Sequence, residues 1–166
     1  MNRTILHILK ERRHICMTIL VSEKIKYLIK NGRFSELKNY RQHKNYSTYD
    51  HSIAVAEKSL GLVEKFHISV DKDELITAAL LHDYYLYDWH NFSDGTHRLH
   101  GFRHGKTASI NAERDYHINK RQQQAIRNHM FPLTPPPTTK MGIVITIADK
   151  ICSFKEVLFK KRMATV

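Results

Sequence analysis

A histidine and an aspartate side by side at the end of an apolar run are the first residues in this chain whose types ask for a chemical explanation. The run Ala78-Ala79-Leu80-Leu81 leads directly into His82-Asp83. Adjacent residues on a helix point about 100° apart, so both side chains reach an ion lying beside the helix. A carboxylate left without a partner in such surroundings is costly. A divalent ion removes that cost, and imidazole nitrogen with carboxylate oxygen suits Mn, Fe, Ni, Co or Zn. A His-Asp hydrogen bond capping a core helix is the plain alternative. Four further residues raise the same question. His51 lies on the helix side of Ala54 and Val55, and His104 on that of Ala108 and Asn111. His129 follows Ala125 and Ile126 at helical spacing, and Asp149 is embedded in Ile145-Thr146-Ile147-Ala148. Any one of them alone reads as a satisfied core polar group. Taken together each needs a partner, and one shared metal centre supplies all of them.

Helices must carry these residues to one place. Ser22 can cap a short helix through Ile25, Leu28 and Ile29, closed by Asn31-Gly32. Ser47-Thr48 opens a helix from about Tyr49 to Phe66, apolar on more than one face and therefore central. Asp71 with Glu74 reads as a capping box for the helix that ends in the His-Asp pair. Residues 88–103 form a loop rich in histidine and aromatics. Further helices are expected over about 104–116, 119–130 with Asn119 as cap, and 140–161. All four prolines fall between Pro132 and Pro137, a stiff elbow before the last helix. There is no strand-period alternation, internal repeat or Gly-rich phosphate loop. The expected fold class is all-α, a single compact helical domain of about six to seven helices over residues 21–166. Residues 1–20 are read as a weakly amphipathic N-terminal extension of net charge +3, either an extra helix or, since Met17 offers a second start, a mis-assigned beginning.

The ordered set His51, His82-Asp83, His104, His129, Asp149 resembles the HD-domain superfamily of metal-dependent phosphohydrolases. Ala79-Leu80-Leu81-His82-Asp83 is similar to that family's HD helix, and Ile147-Ala148-Asp149-Lys150 to its closing aspartate motif. The resemblance covers residues 47–157. It implies a minimal metal site of His51, His82, Asp83 and Asp149. With His104 and His129 added it implies a two-metal pattern bridged by Asp83, so the expected cofactor is one or two divalent ions per chain. The implied reaction cleaves a phosphomonoester, phosphodiester or phosphoanhydride bond of a nucleotide-like substrate by a metal-activated water. A di-iron oxygenase on the same ligands and a non-catalytic metal- or nucleotide-binding module are the rival readings. Three departures stand out: Leu86 where many two-metal members carry lysine, Gly105 after His104 where proline is frequent, and no HD-GYP signature. They leave the substrate open.

Around this set, Asp83, Lys150 and Asp88 are the candidate catalytic residues, with Asp88 as a general acid-base. Arg103 and Lys106 are candidate phosphate contacts, and Tyr84 and Tyr85 candidate stacking surfaces for a base. His100, also followed by glycine, rivals His104 as a ligand, and His104 is preferred because it opens the helical pattern. Trp89 reads as packing and Cys152 as a core thiol. His7, His14, His43, His67 and His117 read as surface.

The composition agrees with this picture. Twelve histidines in 166 residues are many, and the net charge of +11 favours anionic partners. The basic residues are spread along the chain without a DNA-binding motif, which suits a small phosphorylated substrate better than nucleic acid. Two distant cysteines and no secretory signal or membrane span point to a cytoplasmic protein with reduced thiols, its oligomeric state, including a homodimer, open.

Overall fold

The computed structural model describes residues 3–43, 46–90 and 99–163. Its helices are α1 (Arg3–Asn31), α2 (Thr48–Lys65), α3 (Lys72–Leu81), α4 (His100–Tyr116), α5 (Lys120–Arg127) and α6 (Lys140–Met163). Asp71 starts α3 by accepting the Glu74 amide, and every residue from Leu75 to Leu81 is buried. A helix apolar on all sides needs neighbours on all sides. α3 accordingly touches the other five helices, and α2 packs against both α3 and α6. The His-Asp pair thus emerges at the end of the most enclosed helix.

Local chemistry sets most boundaries. Ser47 and Asp50 form a reciprocal capping box on α2, and Asn119 and Gln122 do the same on α5. α4 closes on His117 in the left-handed conformation, and His67, just beyond α2, adopts it too. Two exposed histidines therefore sit at helix exits, where a positive φ ends the helix.

Several expectations are corrected. α1 runs unbroken through Ser22, which caps nothing, because residues 3–31 contain no glycine or proline to interrupt it. The connector after it folds into a 3-10 helix, Phe34–Asn39, with Phe34 and Leu37 fully buried. Strands β1 (Arg41–His43) and β2 (Tyr46–Ser47) then pair antiparallel, too short for an alternating pattern to show. The fold remains all-α with this one small hairpin among the described residues. α4 begins at His100 rather than His104, and α5 ends at Arg127, so His129 lies in the turn beyond it. Residues 91–98, with His97 and Ser93-Asp94-Gly95, lie outside the described residues, as do the side chains of His14 and His43. No helix among the described residues is long and apolar enough to cross a membrane.

Two glycines have opposite surroundings. A Cβ on Gly105 would lie 2.9 Å from the Arg127 carbonyl oxygen, so glycine lets α4 lie against the end of α5. A Cβ on Gly61, inside α2, would meet nothing within 4 Å. Mid-helix glycine costs roughly 0.5–1 kcal/mol relative to alanine. Gly61→Ala should therefore raise unfolding stability in urea by about that amount. Gly105→Ala should lower it by about 1–3 kcal/mol through overpacking. Equal effects from the two would contradict these packings.

Candidate metal centre

Three imidazoles have one ring nitrogen already committed. His82 Nδ1 lies 2.8 Å from the Ala79 carbonyl oxygen, His104 Nδ1 2.9 Å from that of His100, and His129 Nδ1 2.7 Å from that of Ile126. A carbonyl can only accept, so Nδ1 carries a proton, and when the ring is neutral, as metal binding requires, its Nε2 lone pair is free. Those three Nε2 atoms converge on Asp83. His82 Nε2 is 3.4 Å from Oδ2, while His104 and His129 Nε2 are 3.2 and 3.5 Å from Oδ1. His51 Nε2 completes the group, 3.9 Å from Asp83 Oδ2 and 3.1 Å from Asp149 Oδ1. Each oxygen of Asp83 thus faces its own pair of imidazoles. The ligand atoms form two triads that share the aspartate: His51, His82, Asp83 and Asp83, His104, His129.

These residues fit divalent metal. With the rings neutral, the Nε2 atoms and carboxylate oxygens are all acceptors, and His104 and His129 Nε2 stand only 3.0 Å apart. His82 Nε2 and Asp83 Oδ1 make no hydrogen bond, although both residues are at most 2% exposed. Acceptors turned toward acceptors in a buried space are stabilised by a cation between them. Asp149, 6% exposed on α6, adds a carboxylate beside the first triad.

Electrostatics keeps the carboxylates ionised. Burial alone would raise Asp83, yet the His82, His104 and His129 imidazoles hold it well below the usual carboxylate value. Burial is overcome at Asp149 too, where the His51 hydrogen bond and the nearby histidines bring it down to about 2. His51 is lowered by burial but raised more by its hydrogen bonds to Asp149 and Glu156, reaching about 10. His129 has no such bond to a carboxylate. Burial, with the charges of His104 and His82, pushes it down to about 3.

Outside the ligand atoms lies a ring of supporting residues. Gln42, delivered by β1, donates from Nε2 to Asp83 Oδ2 at 2.9 Å. Its orientation is set by Tyr85, whose hydroxyl donates to Gln42 Oε1 at 3.1 Å and meets Thr48 Oγ1 at 3.0 Å. Glu156 holds His51 Nδ1 at 2.9 Å, and Ser153 donates to Asp149 Oδ1 at 3.2 Å. Glu156 had a signal available, since it lies two turns after Asp149 on the same helix face. Gln42 had none, because its strand is only three residues long.

The other candidate residues fall elsewhere. Tyr84 is fully buried with its hydroxyl on Asp115, 2.9 Å away, so it offers no stacking face and its expected role is corrected. Tyr85 is 1% exposed with its ring edge on His100 and His104, a wall of the centre rather than a platform for a base. Asp88 is exposed and occupied with the His90 amide and ring. Arg103, Lys106 and Lys150 are exposed, and Lys150 shares its helix face with Ile147 and Phe154 rather than with buried Asp149. His100 stacks on the His104 ring at 4.5 Å, and Trp89 stacks on His100 at 5.0 Å. Burial pushes the Cys152 thiol up to about 11, consistent with a core sulfhydryl.

The family model described as HD domain matches residues 48–153, which include all six residues of the centre. No curated protein and no solved structure matches the chain.

Two outcomes follow for metal binding. His51 is protonated at neutral pH in the metal-free protein, so Zn²⁺ or Mn²⁺ added at pH 8 should release about one proton or more per ion bound there. In that metal-free form the His51 ion pairs stabilise the fold fully below about pH 6.5. This contribution is lost as pH rises through about 10. Titration in weak buffer with a pH indicator reads the release, and its absence would contradict the arrangement. Gln42→Leu should weaken metal affinity about 10–100-fold by freeing Asp83, as measured by competition with a chelating dye.

Proposed function

We propose, from the premise that the chain belongs to the HD-domain family of metal-dependent phosphohydrolases, that it hydrolyses a phosphate ester or anhydride of a nucleotide-like substrate with two divalent ions. The observation that carries this reading is the split of Asp83, one oxygen toward each histidine pair. Divalent ions held there supply Lewis acidity toward a phosphoryl oxygen and lower the pKa of water toward neutrality.

The chain's own residues do the rest. Asp83, Asp149 and the four Nε2 atoms would hold the ions, and the backbone carbonyls of Ala79, His100 and Ile126 fix three of the rings. Glu156 fixes the fourth and retains the Nδ1 proton of His51. Tyr85, raised by burial and by the charge of Asp83, stays a neutral hydroxyl and keeps Gln42 aimed at Asp83. Low exposure of all six ligand residues limits bulk water at the centre. Arg103, Lys106 and Lys150 are exposed cations without an ion pair among the described residues, and we assign them the role of drawing in the substrate's phosphate. Asp88, 54% exposed and hydrogen-bonded to His90, is assigned the role of proton carrier.

The test is a phosphate-release screen of metal-loaded protein against mono-, di- and cyclic nucleotides, with metal content measured in parallel. Wild type should release phosphate or nucleoside monophosphate, and Asp83→Ala should lose both ions and at least about 10³-fold in rate. Oxygen consumption with an organic substrate and no phosphate chemistry would overturn the assignment.

A further inference from the structure

A groove of about 680 Å³ lies behind the metal centre, on the side of α2 and α6 that carries Glu156. Its apolar lining comes from Ala54, Gly61 and Leu62 of α2, Ile151 and Cys152 of α6, Met17 of α1 and the ring of Tyr46 of β2. Lys58, Lys65 and Lys155 also line it, and none of them forms an ion pair among the described residues. Lys24 and Arg121, by contrast, are paired with Asp73 and Glu74, although Arg103, Lys106 and Lys150 are likewise without an ion pair among the described residues. Glu156 is engaged by His51, which leaves three ammonium groups against the single carboxylate of Glu57.

Gly61 is the second observation. The chain's other described helix glycines are accounted for by contacts: Gly101 meets the Leu133 side chain, Gly105 the Arg127 backbone and Gly142 the ring of Pro137. Gly61 meets nothing, and glycine inside a helix is a stability cost. What it gains is room, in the wall of this groove. A volume in the range of small-molecule sites suits an organic ligand. The lining holds no Asn, Gln, Ser or Thr, and its one aromatic is Tyr46. An aliphatic chain with an anionic head matches both the floor and the rim.

We propose that the α2–α6 groove binds a free fatty carboxylate, its chain along Ala54, Gly61, Leu62 and Ile151 and its head among Lys58, Lys65 and Lys155. This site is separate from the phosphate chemistry and does not rest on it. The test uses metal-loaded full-length protein and dodecanoate below its micellar concentration, followed by calorimetry. Saturable binding of one dodecanoate per chain is expected. Gly61→Leu, which fills the groove, and Lys155→Glu, which reverses a charge at an exposed position, should each weaken it at least about tenfold. Acetate and dodecyltrimethylammonium, which carry the head without the chain and the chain without the anion, should not compete. A thermal melt shows that each variant is folded. Absence of saturable binding overturns the proposal. So does binding insensitive to both variants, the result if dodecanoate ligates the metal instead, or equal displacement by the cationic analogue.

Discussion

Asp83 is a carboxylate 2% exposed to solvent with imidazoles on both of its oxygens, and the surrounding architecture follows from that. A buried anion needs positive charge close by. The three neighbouring rings that donate through Nδ1 to backbone carbonyls can meet that need only by being protonated at Nε2 or by sharing cations with the aspartate. Four buried imidazolium groups would repel one another, and His129 is held well below the ordinary imidazole value by that same repulsion and by burial. Cations shared between Asp83 and neutral rings satisfy every atom at once.

The fold divides this task between local and distant devices. His82, His104 and His129 are each oriented by a carbonyl three or four residues earlier, so their ring directions are set by their own turn of chain. His51 and Asp83 are oriented from afar, by Glu156 near the end of α6 and by Gln42 on a short strand. Enclosed α3 supplies the rigid platform, and close approach at Gly105 lets His104 meet His129 from the neighbouring α5 turn. The segment after the His-Asp pair is pinned as well, because Asn111 donates to the carbonyls of both Tyr84 and Tyr85 at 3.1 Å. An ordered aspartate therefore depends on α4 twice.

Much of this was legible in sequence and some was not, for identifiable reasons. The helical class and the caps at Ser47, Asp71 and Asn119 show in residue type and spacing, since each cap is a local hydrogen bond. The six inward histidines and aspartates show because a polar group amid apolar neighbours is conspicuous. Helix ends that depend on tertiary contact do not show: α4 begins a full turn earlier than its pattern suggests, and α5 stops before His129. Tyr84 and Tyr85 looked like free aromatics beside a site, but their hydroxyls bond Asp115 and Gln42, partners far away in the chain. Gln42 itself is a lone polar residue in a polar stretch. Only the folded hairpin gives it meaning.

The most direct test of the central claim is an anomalous-scattering map from crystals of the manganese-loaded protein, recorded at the manganese edge. Two peaks flanking Asp83 are expected, one against His51, His82 and Asp149 and the other against His104 and His129. A map with no peak at Asp83, or with metal bound only by residues outside this set, would contradict the account.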